Sequence, residues 1–229
     1  MKDEITIEEA RELVLEPVLW PLVRNFLWDF VPQVHESWLE GIVSESSDTG
    51  QGPAQSLVSS LSTSPRVKKF VLGRLGVEPC FHTFPKEDWS RLALLDGAVL
   101  FEIVKWLGAL ACVDELRRVT CGATVRELKA GLPGIYPEVF GYTEYFRKLK
   151  VEKLEVEGSM PDAIEKLGCG MLHSFLGELP APLWHRMLLK LPHNLEPSTP
   201  DLQPSNLQPS NMQLLLKLRF PEAYTLCCS

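Results

Sequence analysis

The densest run of chemistry-bearing side chains is LRRVTCGATVRELKAGL, residues 116 to 132. It sets two adjacent arginines, a cysteine and a glycine between two short helical patterns. That composition fits anion binding at a turn, base reading by a helix-turn-helix, or a joint between packed helices. Leu116 and Val119 are expected to face the core. Gly122 suits the left-handed position that ends a helix, and Thr124 followed by Glu127 forms a capping box for VRELKA. The pattern therefore reads as helix, tight turn, helix. Arg117 and Arg118 complement the macrodipole at the first helix's C-terminus. They can also pair with Asp114 or Glu115, or with an acidic partner. As a DNA reader the motif is poor, because its second helix ends at Gly131 and offers only Arg126 and Lys129 to bases and phosphates.

Other candidates for chemistry fall short of a full constellation. Cys80 and His82, in PCFHTF, are two potential ligands or a Cys/His dyad, but no second cluster stands at ligand spacing. A structural zinc site takes four ligands and a catalytic one three plus water. GCGMLH, residues 168 to 173, contains a G-x-G without a third glycine and inside a helical pattern, so close helix packing is the expectation. His173 and His185 fall in helical patterns as packed or capping residues. There is no P-loop, no nucleophile elbow and no H-E-x-x-H, the HES at His35 breaking off before a second histidine. The expectation is no catalytic residue, no cofactor and no metal. Six cysteines without a C-x-x-C pair read as reduced and mostly buried thiols, with the terminal CCS an exposed tail.

The elements that must carry these residues are helical. The 229 residues carry a net charge of −7, which disfavours binding to phosphate backbones. MKDEITIEEARELVL lacks a secretory pattern, and AVLFEIVKWLGALACV is too short and too charged to span a bilayer, so a cytoplasmic protein without direct membrane insertion is expected. Thr6 and Glu9 form a capping box for a helix from about Ile7. WPLVRNFLWDFVP reads as a second helix with Trp20, Leu22, Phe26, Leu27 and Phe30 on its apolar face. RVKKFVLGRLG follows, with Val67, Phe70, Val71 and Leu75 on one side and Arg66, Lys68, Lys69 and Arg74 on the other. DWSRLALLDGAVLFEIVKWLGALA gives the strongest helical periodicity. Gly97 within it costs about 1 kcal/mol against Ala, which implies close approach of another helix or a kink.

Further on, YPEVFGYTEYFRKL reads as an aromatic helix, KVEKLEVEG as a short strand or hairpin arm, and MPDAIEKLGCGMLHSFLGEL and APLWHRMLLKLP as helices. The fold class expected is mainly α. A single helical adaptor domain over 1–195 carries a mobile Ser-rich loop at about 44–65. A Pro/Ser/Asn-rich tether containing the tandem LQPSN-LQPSN covers 196–212, and a C-terminal helical segment covers 213–229.

LLDGAVLFEIVKWLGALACVDELRRVTCGATVRELKAGL resembles the central block of the K component (SctK/YscK type) of bacterial type III secretion systems. LGCGMLHSFLGELPAPLWHRMLLKLP is similar to that family's late block, as is LLKLRFPEAYTL to its end. The resemblance covers residues 89 to 229; VLWPLVRNFLWDFVPQ matches only loosely, and the Ser-rich loop and the LQPSN tandem depart from it. It implies a non-enzymatic adaptor of the sorting platform at the cytosolic face of the inner membrane. Such an adaptor bridges the forkhead-associated-like cytosolic domain of the ring protein (SctD) to the pod protein (SctQ), and so to the ATPase complex. Arg117 and Arg118, with Arg66, Lys68 and Lys69, are the partner-binding candidates, since arginine suits bidentate carboxylate contacts. The rival classes are a helix-turn-helix regulator and an enzyme with a nonstandard site.

Overall fold

The structure is a computed structural model that describes residues 17–46, 64–86, 88–147, 158–195 and 207–228, with Ile7, Leu149 and Val156 as isolated positions. The expected Thr6 capping box, most of the Ser-rich loop, the KVEKLEVEG arm and the first part of the tether lie outside the described residues. Among the described residues the fold is mainly α, as expected, and contains no strand. In chain order the helices are α1 (Trp20–Leu27), α2 (Glu36–Ser46), α3 (Pro65–Arg74), α4 (Gly97–Ala111), α5 (Val113–Arg118), α6 (Gly122–Gly131), α7 (Met160–Phe175), α8 (Ala181–Leu188), α9 (Pro209–Arg219) and α10 (Pro221–Cys228), with short 3-10 turns between several of them. No helix among the described residues is long and apolar enough to cross a membrane.

The chain forms two compact units. The first comprises Met1–Gly97, Glu178–Asn194 and Thr225–Ser229, and the second Ala98–Gly177 and Leu195–Tyr224. The C-terminal segment is thus divided between packed units, where the sequence suggested an appendage beyond residue 212. Helix α9 begins at Pro209, so residues 209–212 of the expected tether are its first turn. The second LQPSN copy supplies that start. Pro209 pre-sets the helical φ, and the Gln208 N–H donates to Asn211 Oδ1 at 3.4 Å. Leu207, Met212, Leu215 and Leu216 are buried, which is why this end of the chain packs.

In the first unit, α1 carries Pro21 in its first turn and buries Val23, Phe26 and Leu27, with Phe30 just beyond it. Leu22 is 39% exposed, so the apolar face is rotated from the expected one. Phe26 meets the edges of Phe30 and Phe84 at 5.7 and 5.9 Å. Helix α2, which the sequence reading passed over, buries Leu39, and the Trp38 indole donates to the Leu191 carbonyl at 2.8 Å.

The strongest periodic run is broken. Residues Trp89–Leu94 form a 3-10 helix whose Ser90 N–H donates to the Asp88 side chain, Leu95 is extended, and α4 starts only at Gly97. A Cβ at Gly97 would stand 2.8 Å from the Lys190 carbonyl oxygen, so a close approach does occur there, made by a turn of backbone at the helix's start.

The second unit is built on α4 and α7. A Cβ at Gly108 would fall 1.9 Å from the Ile164 carbonyl oxygen, and one at Gly168 1.9 Å from that of Val104. Two helices meet backbone to backbone there, and the first glycine of GCGMLH is a packing device, as its position inside a helical pattern implied. Gly131, at the end of α6, likewise rests on the Pro161 ring. Ser159 caps α7 by accepting from the Asp162 N–H at 3.1 Å. The expected aromatic helix reduces to a 3-10 turn over Glu138–Tyr142 followed by turns.

Candidate interaction surfaces

The arginine pair sits in the last turn of α5, in the second unit. Leu116 on the opposite side is buried and fixes the orientation of the helix. Arg117 is half exposed. It donates to Thr143 Oγ1 at 2.8 Å and lies 3.7 Å from Asp114, while Thr143 donates to the Phe140 carbonyl. Arg118 is 73% exposed and, among the described residues, pairs along its own helix with Glu115, at 2.8 Å. The adjacent arginines therefore differ: Arg117 ties α5 to the turn after Tyr142, and Arg118 presents its guanidinium to solvent.

The turn that follows differs from the expected one. Gly122 does not adopt a left-handed conformation at the end of α5; it occupies the first position of α6, with extended Cys121 as N-cap, and Thr124 lies inside the helix. Cys121 is exposed, and hydrogen bonds from the backbone at Thr124 and Ala123 lower its thiol pKa. It departs from the expectation of buried thiols. Cys112, Cys169 and Cys227 fit that expectation: burial pushes each up to about 12. Cys227 is buried where an exposed tail was expected, and none of the six thiols is paired.

The second predicted face, on α3, belongs to the first unit. Arg66 and Lys69 are exposed, whereas Lys68 is half-buried and pairs with Asp29 at 2.6 Å. Val71 is buried and attaches the helix. Phe70, expected beside it, is 54% exposed, because positions 66, 69 and 70 fall on one side of the helix and Val71 on another.

Cys80 and His82 do not form a dyad. The His82 ring nitrogen Nε2 lies 3.1 Å from Asp88 Oδ2, whose other oxygen caps the 3-10 helix. The Cys80 thiol is pushed up by burial and interacts with Arg186, whose charge opposes that rise. No group of three or more His, Cys, Asp or Glu able to hold a metal occurs among the described residues. His35 Nδ1 accepts from the Ser37 N–H and lies 2.9 Å from its hydroxyl, a cap at the start of α2.

The polar groups that sequence reasoning missed are buried cations of the first unit. Arg186 is 4% exposed and donates to the carbonyls of Phe26, Leu27 and Glu78. The first two are orphan acceptors at the C-terminus of α1. Arg91 donates to the Phe84 and Leu226 carbonyls. Lys190 donates to those of Ala93 and Leu95 at 2.8 and 2.9 Å, with its Nζ 4.7 Å from the Phe26 ring centroid. Burial pushes Lys190 down to about 7, with Asp96 opposing. A neutral amine keeps two N–H donors, enough for both carbonyls. The available signal was a cation inside an apolar run, as in LLKLP and SRLALL.

The second unit holds one comparable cluster. Arg219 of α9 lies 4.4 Å from the Trp106 ring centroid and pairs with Glu138 at 2.9 Å. Lys105 pairs with Glu102. Burial pushes nearby Glu165 up to about 7; Lys105 opposes this, and Asp162 and Glu102 add to it.

No family profile, curated protein or solved structure matches the chain.

Proposed function

We propose that this chain is a non-enzymatic adaptor of a type III secretion sorting platform, joining the cytosolic domain of the inner-membrane ring protein to the pod protein and, through it, to the ATPase complex. The observation that carries this reading is where the cations are spent. Among the described residues the buried cations serve their own unit, Arg91, Arg186 and Lys190 donating to backbone carbonyls and Lys105 pairing with Glu102, while Arg66, Lys69 and Arg118 stand exposed on helix faces. Such cations suit recognition of carboxylates on another protein. The sequence resemblance over residues 89 to 229 supplies the identity of the partners.

Lys68 and Arg117 take a second role in this reading. Each is tied to its own unit, Lys68 to Asp29 and Arg117 to Thr143, and so holds the neighbouring exposed cation in place. The test is a pull-down of purified ring-protein cytosolic domain and pod protein from the same genome by this chain. Saturable capture of both at once is the expected result. Capture of neither by folded protein overturns the proposal.

A further inference from the structure

We infer that the outer face of α3 is a docking surface for an acidic amphipathic helix of a partner protein, with Phe70 as the apolar anchor and Arg66 and Lys69 as its carboxylate contacts. The inference rests on the adaptor reading only in taking the occupant to be a platform protein.

Four observations converge. Arg66, Lys69, Phe70 and Gly73 recur at three- and four-residue intervals along α3, which places them on one face, and all four are exposed. Phe70 is 54% exposed while its neighbour Val71 is 4% exposed, so the helix attaches mainly through the valine and leaves more than half of the phenylalanine open. A Cβ at Gly73 would meet nothing within 4 Å, leaving an open shelf one turn beyond Phe70 for an incoming side chain. The fourth is electrostatic. The ten residues PRVKKFVLGR contain four cations and no carboxylate, and Arg66 and Lys68 stand in the first turn, where the macrodipole disfavours cations. Lys68 is compensated by Asp29; Arg66 is placed against the helix's own field, and Lys69 stands exposed one turn on, in a chain whose net charge is −7.

Charge complementarity selects the occupant. An anionic bilayer is repelled by the chain's overall charge, and a pair of exposed cations with one ring is less than the polybasic clusters that hold proteins at such surfaces. A nucleic acid meets the same repulsion. An acidic helix can place two carboxylates against Arg66 and Lys69 and an apolar side chain between them over Phe70. This is the helix-on-helix mode in which a central aromatic residue carries most of the affinity.

The probe is a fluorescently labelled helical peptide with a leucine stripe flanked by glutamates, titrated with the full chain and followed by anisotropy. A second peptide replaces each glutamate with lysine, and vesicles of phosphatidylglycerol and phosphatidylcholine are assayed in parallel. The expected result is saturable binding of the glutamate peptide alone, weakened by salt. Phe70→Ala and the pair Arg66→Glu, Lys69→Glu should each lower affinity by about tenfold or more with an unchanged helical circular dichroism spectrum. No binding of the glutamate peptide, equal binding of the lysine peptide, preference for the vesicles, self-association through this face, or folded variants that bind as well as wild type would overturn it. The adaptor reading is separable. If both platform proteins are captured equally by wild type and variants, the surface is wrong and the adaptor stands. If the peptide binds but neither platform protein does, the surface stands and the adaptor fails.

Discussion

The two units meet different difficulties with different residues. In the first, short helices and 3-10 turns leave many carbonyls without intrahelical donors, and three buried cations supply them: Arg186 at Phe26, Leu27 and Glu78, Arg91 at Phe84 and Leu226, Lys190 at Ala93 and Leu95. In the second, α4 and α7 are long enough to satisfy their own backbones, and the remaining difficulty is steric. Gly108 and Gly168 remove it by letting each helix rest on the other's carbonyls. Irregular backbone calls for donors, regular backbone for small residues. Cations bonded to carbonyls in one core and glycines set against carbonyls in the other are thus two responses to the path of the chain, and Lys105, buried in the second, pairs instead with Glu102.

The sharpest way to break the contrast is Gly168→Leu. The first added carbon already falls 1.9 Å from a carbonyl oxygen that belongs to a helix, so the helices must part, at a cost of about 4 kcal/mol or more. Urea unfolding should show the loss, and a near-native midpoint would mean the helices do not meet as described. Arg186→Leu comes next. It keeps apolar bulk but strands three carbonyls, so about 3 kcal/mol should be lost, and a neutral outcome would remove donor supply as the organising idea for the first unit. Lys190→Met strands two carbonyls in a site of similar shape, and a loss of about 2 kcal/mol is expected by the same measurement.

Two pH profiles sharpen the comparison. Lys190 falls from 10.5 to about 7 on folding, so between those values the unfolded chain holds a proton that the folded chain has released. Stability should therefore rise with pH across that window. Above 9.0 the buried thiols, raised to about 12, oppose it, which leaves about pH 7 to 9 as the range in which Lys190→Met should flatten the rise. Glu165 has the opposite sign. Its folded pKa is raised from 4.5 to about 7, the folded chain keeps the proton longer, and stability should fall as pH climbs through that interval. Glu165→Gln should abolish the fall, as read from unfolding midpoints at a series of pH values; an unchanged slope would place the titration elsewhere. The smallest effect on stability is expected for Arg118→Glu, below about 0.5 kcal/mol, because the residue is 73% exposed and, among the described residues, pairs within its helix.

Long regular helices were legible in the sequence and irregular segments were not. The apolar periodicity of α4 and α7 announces both helices, and GCG within such a pattern announces a close approach. The same periodicity ran on through Trp89–Leu94, where Asp88 capping and an extended Leu95 break it, because a local pattern cannot register the Lys190 backbone that lies against Gly97 from almost a hundred residues away. LQPSN reads as tether by composition, yet its second copy sets proline at a first helical position with Asn211 bonded back to Gln208. The candidate surface was half legible. Arg66, Lys69 and Arg118 are exposed as cations usually are, but nothing near Lys68 or Arg117 in sequence indicates Asp29 or Thr143, each more than twenty residues away. Phe70 was assigned inward because an aromatic beside a valine fits either of two adjacent faces.

The most direct test of the claim that buried cations hold the fold while exposed ones meet partners is a paired assay on Arg118→Glu and on the double variant Arg66→Glu, Lys69→Glu. Each is measured for its urea unfolding midpoint and for co-purification with the ring-protein cytosolic domain and the pod protein. The account predicts unchanged midpoints with loss of at least one partner from each variant. A fallen midpoint, or full retention of both partners by both variants, would contradict it.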